Sequence, residues 1–273
     1  MKLRSIVLLC LLAGCATPEV KKAVPPPELP DQDLKVLSQS LTDFTVAVQS
    51  KLTCSEALTL KKATYELVID GKVVNSGEKP LSGNCSPDAP GAFSVDYKGK
   101  YVQNAEELKA MDGRGGSLLI ALRGKAFFDG PSGPVSIDFA RSRELRVPRL
   151  PHPRFQEVEA GRSAEDEAVI NFRIGVYNPN PFEVLVSSIS YEVQIAGKKV
   201  SDGVIGKGER VSAASTGVFD VEAKVGADTH GDKEVRALIK SRVLPYTITG
   251  EMKADLFSEP YDFKGNINLP ASK

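Results

Sequence analysis

The sequence predicts a mainly β protein: two tandem antiparallel β-sandwich domains, each with one short helix, following an export signal and a proline-rich tether. Three observations lead to this architecture. Apolar residues alternate with period two in Phe44-Thr45-Val46-Ala47-Val48, Phe172-Arg173-Ile174-Gly175-Val176, Val218-Phe219-Asp220-Val221 and Tyr246-Thr247-Ile248, the pattern of strands with one buried face. The chain also repeats itself at a shift of 126, which sets Tyr65-Glu66-Leu67-Val68-Ile69-Asp70-Gly71-Lys72 against Tyr191-Glu192-Val193-Gln194-Ile195-Ala196-Gly197-Lys198. The register carries on through Val74 and Val200, Gly77 and Gly203, and Gly124 and Gly250. Finally, Asp70-Gly71 and Ala196-Gly197 lie between apolar runs, where glycine supplies the positive φ that a tight hairpin needs.

Length and composition agree with two globular domains. The chain has 273 residues, 41% hydrophobic and 26% charged, enough apolar material to bury a core. Its 35 Lys and Arg balance 35 Asp and Glu, and no long basic run occurs. Nucleic acid is therefore not an expected partner, because phosphate binding depends on clustered cations. Two histidines, His152 and His230, and no Trp leave little material for a histidine metal site or a relay catalyst.

At the N-terminus, Lys2 and Arg4 precede an apolar run from Ile6 to Ala13, the layout of an export signal over residues 1–14. The run is shorter than the roughly 20 residues that a membrane-spanning helix requires. Leu12-Ala13-Gly14-Cys15 resembles the bacterial lipobox. That resemblance implies cleavage before Cys15, acylation of its thiol and a mature net charge of about −2. It also implies a bacterial cell-envelope protein lipid-anchored to the membrane, with Ala16 after the cysteine pointing to the outer membrane facing the periplasm. Acyl chains contribute about 0.8 kcal/mol per buried methylene, so two or more anchor a protein stably. Residues 15–35 read as the tether: ATPEVKKAVPPPELPDQD holds five prolines and would extend up to about 50 Å.

With Cys10 removed and Cys15 lipidated, Cys54 and Cys85 remain in an oxidising compartment. A disulfide between them is expected and would contribute about 3 kcal/mol. Two free thiols or a metal pair are the alternatives, the latter weakened because no His or third Cys lies nearby in sequence. The first domain, residues 36–150, places its helix at Asn104-Ala105-Glu106-Glu107, a capping-box pattern leading into Leu108 and Met111. Three prolines in Pro148-Arg149-Leu150-Pro151-His152-Pro153 interrupt strand pairing and mark the boundary. The second domain, residues 151–273, places its helix at Lys233–Lys240, with Val235, Leu238 and Ile239 at helical spacing.

Ile170 to Phe182 ends in Asn178-Pro179-Asn180-Pro181-Phe182. This segment resembles the start of a late embryogenesis abundant type 2 domain, also called the WHy (water stress and hypersensitive response) domain. In that family a strand meets such a corner, a hairpin near Tyr191-Glu192-Val193 follows, and the domain often ends in Leu-Pro, here Leu269-Pro270. Each proline fixes its own φ and pushes the preceding Asn out of the helical region, so the corner itself reads as structural, with Phe182 expected in the core. The first copy has Ser50-Lys51-Leu52-Thr53-Cys54-Ser55 in its place, a degenerate version in which a Cys54–Cys85 staple would replace the prolines.

Signatures of chemistry are scarce. No nucleophile elbow, Walker loop, zinc-protease helix or dinucleotide fingerprint occurs. Gly113-Arg114-Gly115-Gly116 follows a helix and precedes a strand, the reverse of an anion site, and Glu165-Asp166-Glu167 reads as a solvated loop. His152 and His230 are both expected at the surface. The expectation is a protein with no catalytic residues, no metal and no cofactor. The resemblance implies a stress-associated, membrane-tethered binder of envelope proteins or lipid, and lipid carriage and envelope scaffolding are the other two functions considered.

Overall fold

The computed structural model describes residues 25–164 and 166–270. The signal and Cys15 lie outside the described residues, as does Glu165. Among those described, no helix is long and apolar enough to cross a membrane.

The first sandwich runs β1 (Asp33–Gln39), β2 (Asp43–Leu52), β3 (Leu58–Ile69), β4 (Lys72–Cys85), β5 (Gly91–Lys100), α1 (Ala105–Arg114), β6 (Ser117–Gly130) and β7 (Gly133–Arg146). One sheet has the order β1-β2-β5 and faces a second of order β4-β3-β6-β7. Every pairing is antiparallel. Phe44, Phe93, Phe128 and Phe139 fill the space between them, with the Phe93 and Phe139 rings 5.3 Å apart. Each such ring removed from water contributes about 1.5–3 kcal/mol.

The second sandwich runs β8 (His152–Ala164), β9 (Glu167–Tyr177), β10 (Val184–Val186), β11 (Ser188–Ile195), β12 (Lys198–Ile205), β13 (Glu209–Val211) and β14 (Thr216–Val225). It continues through α2 (Ala227–His230), α3 (Asp232–Ser241), β15 (Val243–Ala254) and β16 (Phe257–Asn268). Its sheets are β8-β9-β14 and β12-β11-β15-β16, with β10 and β13 as a short extra pair. Strand for strand this is the order of the first sandwich. The extra pair is the far end of the same hairpin: Val184 lies opposite Val211 where Leu58 lies opposite Cys85, at the repeat shift of 126.

A shared row of residues crosses the four-stranded sheets. Gly77, Tyr65, Gly124 and Phe139 are successive partners in the first, and Gly203, Tyr191, Gly250 and Tyr261 in the second. The glycines leave room for the rings: a Cβ on Gly77 would stand 2.9 Å from the Tyr65 hydroxyl, and one on Gly203 2.9 Å from that of Tyr191. On Gly124 or Gly250 a Cβ would overlap the neighbouring carbonyl oxygen of Thr64 or Ser190. The hairpins turn on Asp70 and Gly71 (φ 48° and 81°) and on Ala196 and Gly197 (φ 49° and 77°), two consecutive positive-φ residues as a type I′ turn requires.

Both predicted helices form. Asn104 caps α1, accepting from the Glu107 amide at 2.9 Å while the Glu107 carboxylate accepts from the Gln103 amide at 2.7 Å. α3 buries Val235 and Ile239. The second sandwich adds the short α2, which carried no sequence signal beyond Asp228 in its first turn.

The folded body also reaches further toward the N-terminus than residue 36. Glu28 exchanges backbone hydrogen bonds with Thr53 at 2.9 and 3.1 Å, Leu29 is buried, and β1 opens at Asp33. Pro153 sits inside β8, which a proline tolerates because that strand is at the edge of its sheet.

Candidate functional site: the corner and the joint between the sandwiches

β9 ends at Tyr177, and the two prolines that follow stop the strand and turn the chain across the end of the second sandwich. The residues that turn inward are the two asparagines, 0% and 1% exposed. Phe182 is only partly buried and packs at the margin of the core, a correction to its expected place inside. The asparagines go in because their amides match backbone groups that the turn leaves unpaired, whereas a ring there would strand them.

Asn178 donates its amide nitrogen to the carbonyls of Phe182, Val211 and Ser212 at 2.7, 3.1 and 3.0 Å. Its oxygen accepts from the Asn180 backbone amide at 3.0 Å and from the Asn180 side chain at 2.9 Å. Asn180 in turn clasps the backbone of Arg149: its oxygen accepts from the Arg149 amide at 2.7 Å and its nitrogen donates to the Arg149 carbonyl at 2.8 Å. A side-chain amide thus acts as a strand partner for one residue of the connection between the sandwiches.

That connection is held on its other side by α1. Asp112 accepts from the Arg149 guanidinium at 2.6 Å and from the Leu150 amide at 3.2 Å. One chain of hydrogen bonds therefore runs from the β13 end through Asn178, Asn180 and Arg149 to the helix of the first sandwich.

Cys54 and Cys85 form a disulfide with Cα atoms 5.9 Å apart. At the repeat shift of 126 they stand where Asn180 and Val211 stand in the second copy. Each sandwich ties the segment after its second strand to the end of its hairpin, the first by a covalent bond and the second by amide hydrogen bonds. The chain entering each sandwich is pinned at the same place, Glu28 by the backbone of Thr53 and Arg149 by the side chain of Asn180.

The remaining sequence candidates separate. His230 is buried, not exposed: the residue is 4% accessible, with Nε2 2.9 Å from the Ile195 carbonyl and Nδ1 2.9 Å from the Thr229 hydroxyl. Through these contacts the ring fixes α2 against β11. His152 is partly buried at the start of β8. Gly115 and Gly116 end α1 with positive φ, and Glu167 opens β9 opposite Ala164. Among the described residues no three His, Cys, Asp or Glu gather as a metal site.

A surface depression of about 570 Å³ on the outer face of β3, β4, β6 and β7 carried no sequence signal. Its lining includes Thr64, Ser76, the row of Gly77, Tyr65, Gly124 and Phe139, and two ion pairs, Glu66–Arg123 at 2.8 Å and Lys125–Asp138 at 3.5 Å.

Comparison with known proteins gives one match of consequence. Residues 173–265 match the family model of late embryogenesis abundant protein, LEA_2. No curated protein matches the chain. Among solved structures, a protein from Archaeoglobus fulgidus is 17% identical with a TM-score of 0.31, over 44% of this chain and 99% of that one. Red sea bream transglutaminase is 12% identical with a TM-score of 0.29, over 90% of this chain and 32% of that one. A Bacteroides uniformis β-glucuronidase is 14% identical with a TM-score of 0.30, over 82% of this chain and 26% of that one. The chain thus spans a third or less of those two enzymes, and none of the three likenesses bears on its fold or activity. The matched segment starts four residues after Val169, takes in the buried asparagine corner, and ends within β16. The second sandwich is a late embryogenesis abundant type 2 domain.

Proposed function

We propose that this protein is a non-catalytic lipoprotein of the late embryogenesis abundant type 2 kind, tethered to the bacterial outer membrane by acyl chains on Cys15 and acting by binding during desiccation or envelope stress. The observation that carries the reading is the match over residues 173–265 to a domain whose most specific motif is turned inward. Both amides of that motif are spent on the protein's own backbone, so the corner holds the fold and leaves the outer surfaces for contact. The lipobox-like Leu12-Ala13-Gly14-Cys15 supports the anchor. The matching strand order of the two sandwiches supports a tandem pair, the first being a diverged copy. The depression of about 570 Å³ over β3, β4, β6 and β7 is edged by the Glu66–Arg123 and Lys125–Asp138 ion pairs, which suits polar groups.

The test is a deletion strain complemented with wild-type protein or with Cys15→Ala, scored for survival after drying and for the membrane fraction of the protein. Expected are lost survival on deletion, rescue by wild type, and a Cys15→Ala protein that leaves the membrane fraction. Full survival of the deletion strain would remove the stress reading. Wild-type protein that yields a stoichiometric lipid on extraction would replace binding of envelope surfaces by lipid carriage.

A further inference from the structure

The helices α1 and α3 follow equivalent strands, yet they face different partners. α3 turns Val235 and Ile239 into its own sandwich. α1 turns Leu108 away from its own core and into that of the second sandwich, where it is 0% exposed. Leu41 from the β1–β2 turn and Val102 from the loop after β5 join it, at 1% and 3% exposed, in the same apolar cluster as Ile174, Phe219 and Phe257. Tyr101 and Met111 pack against both cores. Lys109 adds its ammonium 5.9 Å from the Phe257 ring, and Asp112 holds Arg149.

The repeat shows the difference at one position. Counted from the caps Asn104 and Gly231, Leu108 of α1 corresponds to Val235 of α3; both are fully buried, but only Val235 lies in the core of its own sandwich.

We propose that the α1 end of the first sandwich is a docking surface built for the second, and that the two fold as one cooperative unit. The late embryogenesis abundant domain then owes part of its stability to contacts outside its matched residues, and the disulfide of the first sandwich protects both.

Hydrogen exchange of the full chain in a denaturant series tests this. In the wild type, β3 in the first sandwich and β11 and β15 in the second should lose protection at one common midpoint. Replacing Cys54 and Cys85 together by Ala should lower protection in all three strands by the same factor, on the order of 100-fold. Leu108→Asp should split the single midpoint into two. If the cysteine variant does not fold, loss of protection in β11 and β15 as well as β3 supports the coupling. Two midpoints in the wild type, loss confined to β3 in the cysteine variant, or a single unchanged midpoint in Leu108→Asp would each overturn it.

Discussion

Asn180 grips the backbone amide and carbonyl of Arg149 with the two ends of one side chain, at 2.7 and 2.8 Å, from the position that Cys54 occupies in the first sandwich. The two copies therefore solve one problem with different chemistry. Both must fasten the incoming chain and the hairpin end to the segment that follows the second strand.

Asn180→Ala is expected to be among the most damaging single changes in the second sandwich. It strips the side-chain partner from two part-buried backbone groups of Arg149, each unsatisfied group costing about 1–3 kcal/mol, and leaves the Asn178 oxygen with the Asn180 backbone amide alone. Asn180→Asp should recover the bond to the Arg149 amide and lose the one to its carbonyl, falling between wild type and Ala. Urea midpoints at equal slope give the ranking, and an Ala variant as stable as wild type would mean that water replaces the clasp.

Cys54 and Cys85 close a loop with a sequence separation of 31. Replacing both with Ala should cost about 3 kcal/mol, mainly by freeing the unfolded chain. Thermal unfolding with and without a reducing agent checks it: wild type should move to the variant's midpoint on reduction, and the variant should not move.

Gly250 and Gly197 separate two reasons for glycine. A methyl on Gly250 would overlap the Ser190 carbonyl oxygen within the sheet, where neither strand can yield, so Gly250→Ala should prevent the four-stranded sheet from forming normally. Gly197 has φ 77° and open space around its Cβ position, so Gly197→Ala should cost only the left-handed backbone, about 1–2 kcal/mol. Circular dichroism melts should show the first change to be much the worse, and equal effects would contradict the packing argument.

Tyr261 donates its hydroxyl to the Ser190 carbonyl at 2.8 Å, and burial holds its phenol well above the ordinary tyrosine value. Because the folded value is raised, the native state keeps the proton more tightly than the unfolded chain. This contribution is complete below the ordinary tyrosine range and is lost as pH rises through the folded value. Tyr261→Phe, which reproduces Phe139 of the first copy, should cost about 1 kcal/mol at neutral pH and flatten the stability decline at alkaline pH. Midpoints from pH 8 to 11 decide it.

Across the joint, Asp255 has its carboxyl raised by burial and by the nearby Asp43 carboxylate of β2. The same sign applies: the stabilisation is present below the ordinary aspartate value and lost as pH climbs through the raised one. Asp255→Asn should make the full chain more stable at neutral pH and reduce its pH dependence between 4 and 7. Greater sensitivity to pH in the variant would assign the effect elsewhere.

Much of the architecture was legible because its signals are local. Alternation at Phe44–Val48 and Phe172–Val176, paired turn residues at Asp70-Gly71 and Ala196-Gly197, and the Asn104 cap each act within a few residues, so strands, hairpins and α1 follow from the string. His230 was misread for the converse reason. Its acidic sequence neighbours point to a solvated loop, but its burial comes from the Ile195 carbonyl, 35 residues away. Phe182 was misplaced because hydrophobicity ranks a ring above an amide, while the turn's unpaired backbone carbonyls rank the amide first.

By itself the sequence determined the β-rich repeat, its register of 126 and the resemblance of its second half to a known domain, since periodicity and identity survive without coordinates. Only the tertiary structure decided that Asn180 reaches Arg149, that Leu108 belongs to the core of the other sandwich, and that Glu28 pairs with Thr53. Those facts depend on which distant groups meet when two sheets close, and a residue's type does not specify its partner.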